Sequence, residues 1–414
     1  MLNKAGEREL CYVTLIDAIE PIEGSDNCEC AVVGGWRVMV RKNEFKKGDP
    51  AIYFEIDSYL DPSNPAFAFM EKKKYKVKTQ RYTFGGKGNF ISQGLLMSAA
   101  NFGWSIGIDT QDSSSDVYFI IDDKGEYHYS GGESRFLTEK LNVTYAVAED
   151  NTRKASSVDK YKKMAQRHGK LFSKQPFRWL MKRTWGKKLL FVFFGKKKDK
   201  KSEWPSHICS RTDVERIQNM IWVLNDKNPY IATEKVDGCS FTVTAERAKF
   251  GKIKYKVCSR NVVFEDENQK CFYDSNVYFE MYHKYNLKEK ITKILNDLNL
   301  QNVAIQAEIY GTGIQKRDYS LNNEHQIAVF HIVSNNIKYP MDKVVEICTK
   351  YDLPHVPIIN YNYILPDTLD ELQEFTEKYS SSLDGKEKEG IVFYDTTGQK
   401  YFKFVSPNFL MKYH

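Results

Sequence analysis

The 414-residue chain has no apolar run long enough to cross a membrane. Its longest, residues 189–194, holds six residues, against the roughly 20 that a spanning helix needs. Membrane partners are therefore not expected. Residues 1–10 are polar and charged, so no secretory signal opens the sequence. Its eight cysteines form no CxxC pair. Cys28 and Cys30 stand closest and would share one strand face without making a metal site, which excludes a zinc ribbon or a disulfide scaffold. Reduced thiols and a cytoplasmic location are expected. No internal repeat is evident. Gly85, Gly86 and Gly88 lack the Lys-Ser/Thr ending of a phosphate loop.

What is present is a chain large enough for two or three domains, 42% hydrophobic and 14% aromatic. A formal charge of +7 favours a polyanionic partner.

Residues 9–60 read as short strands separated by turns at about ten-residue intervals, the pattern of a small β-barrel. Tyr12 to Ile16, Cys30 to Val33, Trp36 to Val40 and Ala51 to Ile56 are the apolar runs, and Gly24, Gly34-Gly35 and Lys47-Gly48-Asp49 mark the turns. Residues 71–97 interleave Lys72, Lys73, Lys74, Lys76, Lys78, Arg81 and Lys87 with Tyr75, Tyr82 and Phe84. Cations beside rings suit phosphates and exposed bases; the alternative is a solvated charged hairpin. A further strand is expected at 116–121. Between Lys170 and Lys201 lie twelve Lys or Arg and one acid. Residues 151–204 thus form a basic linker or insertion, with a helix predicted from Ser157 to about Lys187, and either nucleic acid or an acidic partner suits it.

After Trp204-Pro205, strands are predicted at 239–246, 252–259, 302–310, 327–334, 389–395 and 400–405, and helices at 287–298, 341–350 and 367–379. Strands that arrive in clusters, with few helices between them, indicate an α+β fold with antiparallel sheets.

Chemistry concentrates at the strand ends of this half. Lys235 stands in Glu234-Lys235-Val236-Asp237-Gly238, between two strand-like runs, where Gly238 would let a ligand come close to the backbone. Arg260 follows Val257-Cys258-Ser259. Glu308 interrupts the apolar strand Ile305 to Tyr310, and Phe330 lies in another. Glu389-Gly390 opens Ile391-Val392-Phe393, and Lys403 sits between Phe402 and Phe404. Together these make a set with a nucleophilic lysine, acids for a metal, cations for phosphate and a ring for a base.

That order resembles the covalent nucleotidyltransferases, the superfamily of ATP-dependent ligases and RNA capping enzymes. Lys235-Val236-Asp237-Gly238 looks like motif I, and Glu308 with Gly311-x-Gly313-Ile314-Gln315 like motif III of RNA ligases. Phe330, Glu389-Gly390 and Lys403 look like motifs IIIa, IV and V. Upstream, Arg211 to Asn219, Trp36-Arg37-Val38, Lys47-Gly48-Asp49, Ser92 to Leu95 and Leu141 to Thr144 resemble the fifth RNA ligase family, which carries an N-terminal OB module. Two departures stand out. Lys400 precedes Lys403 by three residues, where the superfamily usually places two lysines two apart, and the basic segment 154–201 matches no motif.

The resemblance implies an OB-fold nucleic-acid-binding domain at 1–150 and an adenylyltransferase domain, with an ATP-grasp-like ligase fold, at 205–414. It implies an ATP-dependent RNA ligase joining 5′-phosphate and 3′-OH ends through lysyl-AMP. The alternatives are a DNA ligase, a GTP-dependent capping-type enzyme, or a non-catalytic nucleic-acid-binding scaffold. Catalysis would rest on Lys235 and Lys403. ATP or AMP would be bound by Glu234, Lys235, Asp237, Gly238, Arg260, Glu308, Phe330, Glu389 and Lys403, and Mg²⁺ or Mn²⁺ by Asp237, Glu308 and Glu389. Neighbouring cations and the metal would lower the pKa of Lys235. RNA, on an RNA or DNA template, would meet Lys74, Lys76, Lys78, Arg81 and Lys87, and the protein would act as a monomer.

Overall fold

A computed structural model describes residues 1–3, 7–84, 87–109, 117–121, 127–129, 135–145, 180, 190 and 202–413. The helix expected over 157–187 and most of the basic segment lie outside the described residues. No helix among the described residues is long and apolar enough to cross a membrane, and all eight cysteines are free.

The first half is built from short antiparallel strands. Cys11–Leu15 pairs with Pro50–Phe54, which pairs with Leu95–Met97. Ala18–Pro21, Cys28–Val33 and Trp36–Arg41 form a second sheet, and Thr79–Phe84 with Lys87–Gln93 a hairpin. Alternation drives the pattern: in Trp36–Arg41, Trp36, Val38 and Val40 are buried while Arg37 and Arg41 are exposed. The sequence pattern did not signal the 3-10 helix Pro65–Lys73, which Asn64 caps and which buries Phe67 and Met70. One apolar cluster surrounds Phe54 and Phe67. A second, around Trp36 and Tyr53, also takes in Val405 and Leu410 from the far end of the chain, so the two halves share a core.

The second half holds two sheets. Six antiparallel strands run in the order Val263–Phe264, Ile253–Ser259, Cys239–Arg247, Asn302–Gly311, His325–Ser334 and Ile337–Lys338. One face, with Phe241, Val243, Ile305 and Ile309, packs on the helices Val277–Lys284, Leu287–Asp297 and Met341–Lys350. Leu287, Ile291, Ile294 and Leu295 recur at helical spacing and are all buried. The other face is polar, with Ser240, Thr242, Thr244, Gln306 and Glu308. Residues 204–212 roof it. There Ile208 and Cys209 pack on Ala304 and Val333, the Ser210 carbonyl accepts from Gln306 Nε2 at 2.9 Å, and Thr212 Oγ1 meets Ser240 Oγ at 2.6 Å.

The five-stranded sheet runs Glu215–Arg216, Tyr401–Val405, Gly390–Tyr394, Tyr230–Lys235 and Ile358–Tyr363, with only the first pair parallel. The helix Leu369–Lys378 starts with a reciprocal cap between Thr368 and Glu371. Predicted strands and helices fall within two residues of those observed. Of the elements that escaped the pattern, two show why. Val277–Lys284 reads Val-Tyr-Phe-Glu-Met-Tyr-His-Lys, whose aromatic content favours strand, yet the Asn276 cap and burial of its apolar face make it helical. Ile358–Tyr363 is a largely exposed edge with no apolar alternation.

Candidate active site

Strand register assembles the site. Thr233 stands opposite Val392, Val392 opposite Lys403, and Lys403 opposite Arg216. Paired residues share a sheet face, and so do residues two apart on a strand. Lys235, Lys403 and Arg216 therefore project from one face. Lys400 has the opposite parity; its ammonium lies 2.8 Å from Asp226 and over the Trp222 ring.

Lys235 Nζ donates to Glu389 Oε2 at 2.6 Å. Burial would lower the lysine pKa, but the charges of Glu389, Glu308 and Asp237 more than offset this and raise it. Among the chain's own charges the carboxylates favour the protonated form of Lys235, and the cations gather around Lys403. Burial, then Arg216, Lys235 and Arg8, bring the Lys403 pKa down to about 7. The acids move the other way. Burial and the Glu389 charge push Asp237 up to about 7. Burial, with Glu389 and Asp237, pushes Glu308 up to about 8, although Lys235 and Arg260 oppose it.

Gly238 serves a different purpose from the one its sequence position suggested. A Cβ there would meet the Ile309 carbonyl oxygen at 2.1 Å, so the neighbouring strand, not a ligand, demands glycine. Gly390 is alike, facing the Phe404 carbonyl oxygen at 2.1 Å. Both loops are then clasped from behind. The Asp237 N–H donates to Tyr319 Oη at 2.6 Å, and the Arg317 guanidinium stacks 4.1 Å from the Tyr319 ring. Arg317 also binds Asp384 and the Glu387 carbonyl, two residues before Glu389. One buried arginine thus fixes both acid-bearing loops.

The first half of the chain supplies one wall. The Asp57 carboxylate accepts from Arg216 Nη2 at 3.3 Å and lies 3.8 Å from Arg8. Glu55, fully buried, pairs with Arg8 at 3.0 Å. Despite burial, which raises it, its pKa falls to about 2 because the terminal amine and Arg8 are close. Asn219 joins the halves. Its Oδ1 accepts from Trp36 Nε1 at 2.7 Å and Tyr12 Oη at 3.2 Å, and its Nδ2 donates to Glu55 at 2.9 Å and Glu215 at 2.8 Å.

Of the expected site residues, Lys235, Asp237, Glu308, Glu389 and Lys403 are brought together. The Glu234 side chain is not. It points to the opposite face, where Ser381 Oγ and the Ser382 N–H bind it, so its side chain leaves the set. Arg260 forms an ion pair with Asp213 and stacks 5.4 Å from the Tyr145 ring. Phe330 is half-buried at a β-bulge, the extra residue between the Ala307–Val329 and Gln306–His331 pairs, and a bulge re-aims side chains. Lys74 and Lys78 are exposed and Lys76 half-buried. Arg81 is tied to Asn408 Oδ1 at 2.7 Å, which makes it a strut between the halves. The Lys87 side chain lies outside the described residues. Arg8, Arg317 and Tyr319 were missed. The last two follow Gln315 directly in Lys316-Arg317-Asp318-Tyr319, while nothing in the sequence around Arg8 marks it.

Among the described residues, no three carboxylate, imidazole or thiolate side chains form a ready cage for a metal. Asp237, Glu308 and Glu389 are nonetheless gathered around Lys235. These oxygen donors still suit a hard cation that keeps several of its waters, as Mg²⁺ usually does.

Family comparison matches residues 228–414 to the RNA ligase family and residues 10–98 to an OB-fold domain. No curated relative matches the chain. Among solved structures, Naegleria gruberi RNA ligase with PPi is 23% identical, with TM-score 0.67 over 98% of this chain and 99% of that one. A mutant of the same ligase with ATP and Mn is 22% identical, with TM-score 0.67 over 98% of both chains. At this identity the likeness speaks for the fold.

Proposed function

Residues 228–414 are an RNA ligase family domain behind an OB-fold domain, and from that premise we propose that Lys235 is the nucleophile of an ATP-dependent RNA ligase. The observation that carries this reading is the placement of Lys235 and Lys403 on one sheet face, with Glu389 at 2.6 Å from the nucleophile.

Lys235 Nζ gives up a proton, for which Glu389 is the adjacent acceptor, and attacks the α-phosphorus of ATP. The N–P bond forms as the bond to pyrophosphate breaks. The 5′-phosphate of RNA then takes the AMP from Lys235, and a 3′-OH displaces AMP to seal the strand. Lys403, backed by Arg216, neutralises charge that develops on the α-phosphate. Phe330 stacks on adenine, and Arg260 serves the sugar and phosphate side. Mg²⁺ or Mn²⁺, held chiefly through its waters by Asp237, Glu308 and Glu389, would supply Lewis acidity and neutralise the acids that keep Lys235 protonated. The Naegleria structures with ATP and Mn support that choice.

Domains at 1–150 and 205–414, joined by a basic segment, fit this division of labour. The substrate read here is an RNA nick or break held on a template, met by a monomer in the cytoplasm. The family match and the N-terminal OB domain favour RNA joining over DNA joining or capping.

Intact mass after incubation with ATP and Mg²⁺ or Mn²⁺ tests the reading. Wild type should gain one AMP and Lys235→Ala none, and wild type should then seal a nicked RNA duplex. Wild type that gains no AMP with either metal sinks it.

A further inference from the structure

We propose that Lys78 of the first domain and Lys316 of the second form a clamp on RNA backbone phosphates at the mouth of the site, so that the break is gripped from both domains. The inference rests on the RNA ligase reading.

Two chains of contacts place the lysines. Lys316 follows Gln315, whose side-chain amide donates to the Gly238 carbonyl at 3.0 Å, and precedes the buried Arg317. It is exposed, on the lip of the loop that carries Asp237. On the facing wall, Val77 holds the Asp57 turn: its carbonyl accepts from Asp57 N at 2.8 Å, and its N–H donates to Ser58 O at 2.9 Å. Asp57 in turn binds Arg216, the register partner of Lys403. Lys78, next in the chain, is therefore an exposed cation on the wall that holds Arg216.

The walls meet at neighbouring residues near the end of the chain, where Arg81 binds Asn408 at 2.7 Å and the Arg317 guanidinium lies 5.9 Å from the Phe409 ring. Partial burial lowers the Lys78 pKa, and the like charges of Lys316 and then Lys76 add to the effect, with Asp57 opposing them. Both walls are also rigid. Arg81 ties the hairpin that follows Lys78 to Asn408, and Arg317 anchors the residue after Lys316. Cations held near one another on fixed walls are relieved by a polyanion, and a strand of phosphates can run from one to the other. A single nucleotide in the pocket of Lys235 would not need cations on the outer lip of both domains.

The test uses the full chain as wild type, Lys78→Glu, Lys316→Glu, the double variant and the two Lys→Arg controls. Single-turnover sealing of a nicked RNA duplex by adenylylated protein is followed across a salt series, with self-adenylylation measured beside it. Each Glu variant should slow sealing at limiting RNA about tenfold and reduce the steepness of the salt dependence by about one ion per lysine, while Arg restores both. Unchanged sealing and salt slope in the double variant would overturn the clamp. So would a loss of self-adenylylation as large as the loss of sealing, which would assign the lysines to the nucleotide or to folding. Failure of the underlying reading shows separately, in wild type that does not adenylylate or seal.

Discussion

Lys235 and Glu389 are bonded at 2.6 Å across adjacent strands, and this carboxylate helps to raise the lysine's pKa despite its burial. Loss of its proton is therefore disfavoured at neutral pH. The rate of self-adenylylation at saturating ATP should therefore climb with pH through the neutral range. Lys403 has the opposite trend. With its pKa lowered to about 7, it is charged below that pH and loses its charge above it, unless a bound anion restores it. Affinity for ATP should weaken as pH rises through about 7. Lys403→Arg, which stays charged, should remove that weakening. Single-turnover rates and half-saturating ATP between pH 6 and 8.5 check both; a half-saturation constant flat across that range in wild type contradicts the second.

Glu308 and Asp237 lower the stability of the folded chain at neutral pH. Their pKa values, about 8 and about 7 in the folded chain, lie well above those of ordinary carboxyls. Between about pH 4 and 8 the folded chain binds protons that the unfolded chain has released, so stability falls as pH rises. Glu308→Gln should therefore raise stability at pH 8 by an amount on the order of 1 kcal/mol, seen as a higher Tm, with no gain at pH 4. The same variant should lose most self-adenylylation. Thermal melts at the two pH values decide the point.

Arg317 is 2% exposed and pairs with a buried Asp384. Arg317→Met strands that carboxylate and should cost about 3–5 kcal/mol. Arg317→Met with Asp384→Leu should recover part of the stability but not the adenylylation rate, because the ties of Arg317 to the Tyr319 ring and the Glu387 carbonyl are gone. Denaturant unfolding alongside intact mass separates the two effects. Equal recovery of both would argue against a positioning role.

Asn219 is bonded to Trp36, Tyr12 and Glu55 of the first half and to Glu215 on its own side. Asn219→Ala leaves Trp36, Tyr12 and Glu55 short of partners and should cost about 2–4 kcal/mol, from about 1–3 kcal/mol for each stranded buried group. Because the loss falls on the junction, limited proteolysis should release the first domain from this variant at temperatures where wild type resists.

Much of the fold was legible because it rests on local periodicity. The apolar run broken by Glu308, the alternation in Trp36–Arg41 and the helical spacing of Ile291, Ile294 and Leu295 each give their element directly. The set of charged residues at strand ends was legible for the same reason. What distant segments do to one another was not. The Arg216–Lys403 pairing is a bridge of two residues, too short for any period, and the roof at 204–212 has no regular structure. Glu234 was misplaced because a motif read as a string ignores strand alternation, which turns alternate residues away. Gly238 was credited to a ligand because the carbonyl that excludes a side chain there belongs to a strand some seventy residues on.

The parallel pairing of Glu215–Arg216 with the strand of Lys403 also bears on how the protein can be dissected. The region matched to the RNA ligase family begins at residue 228, beyond that strand and beyond the roof. A fragment cut there would bare the backbone of Tyr401–Val405 at Phe402 and Lys403, where another chain could pair, and would uncover the hydroxyl and amide groups of Thr242 and Gln306. Such a piece would invite aggregation. The smallest soluble catalytic unit is therefore longer than the inherited one, and a fragment for expression should start no later than residue 202.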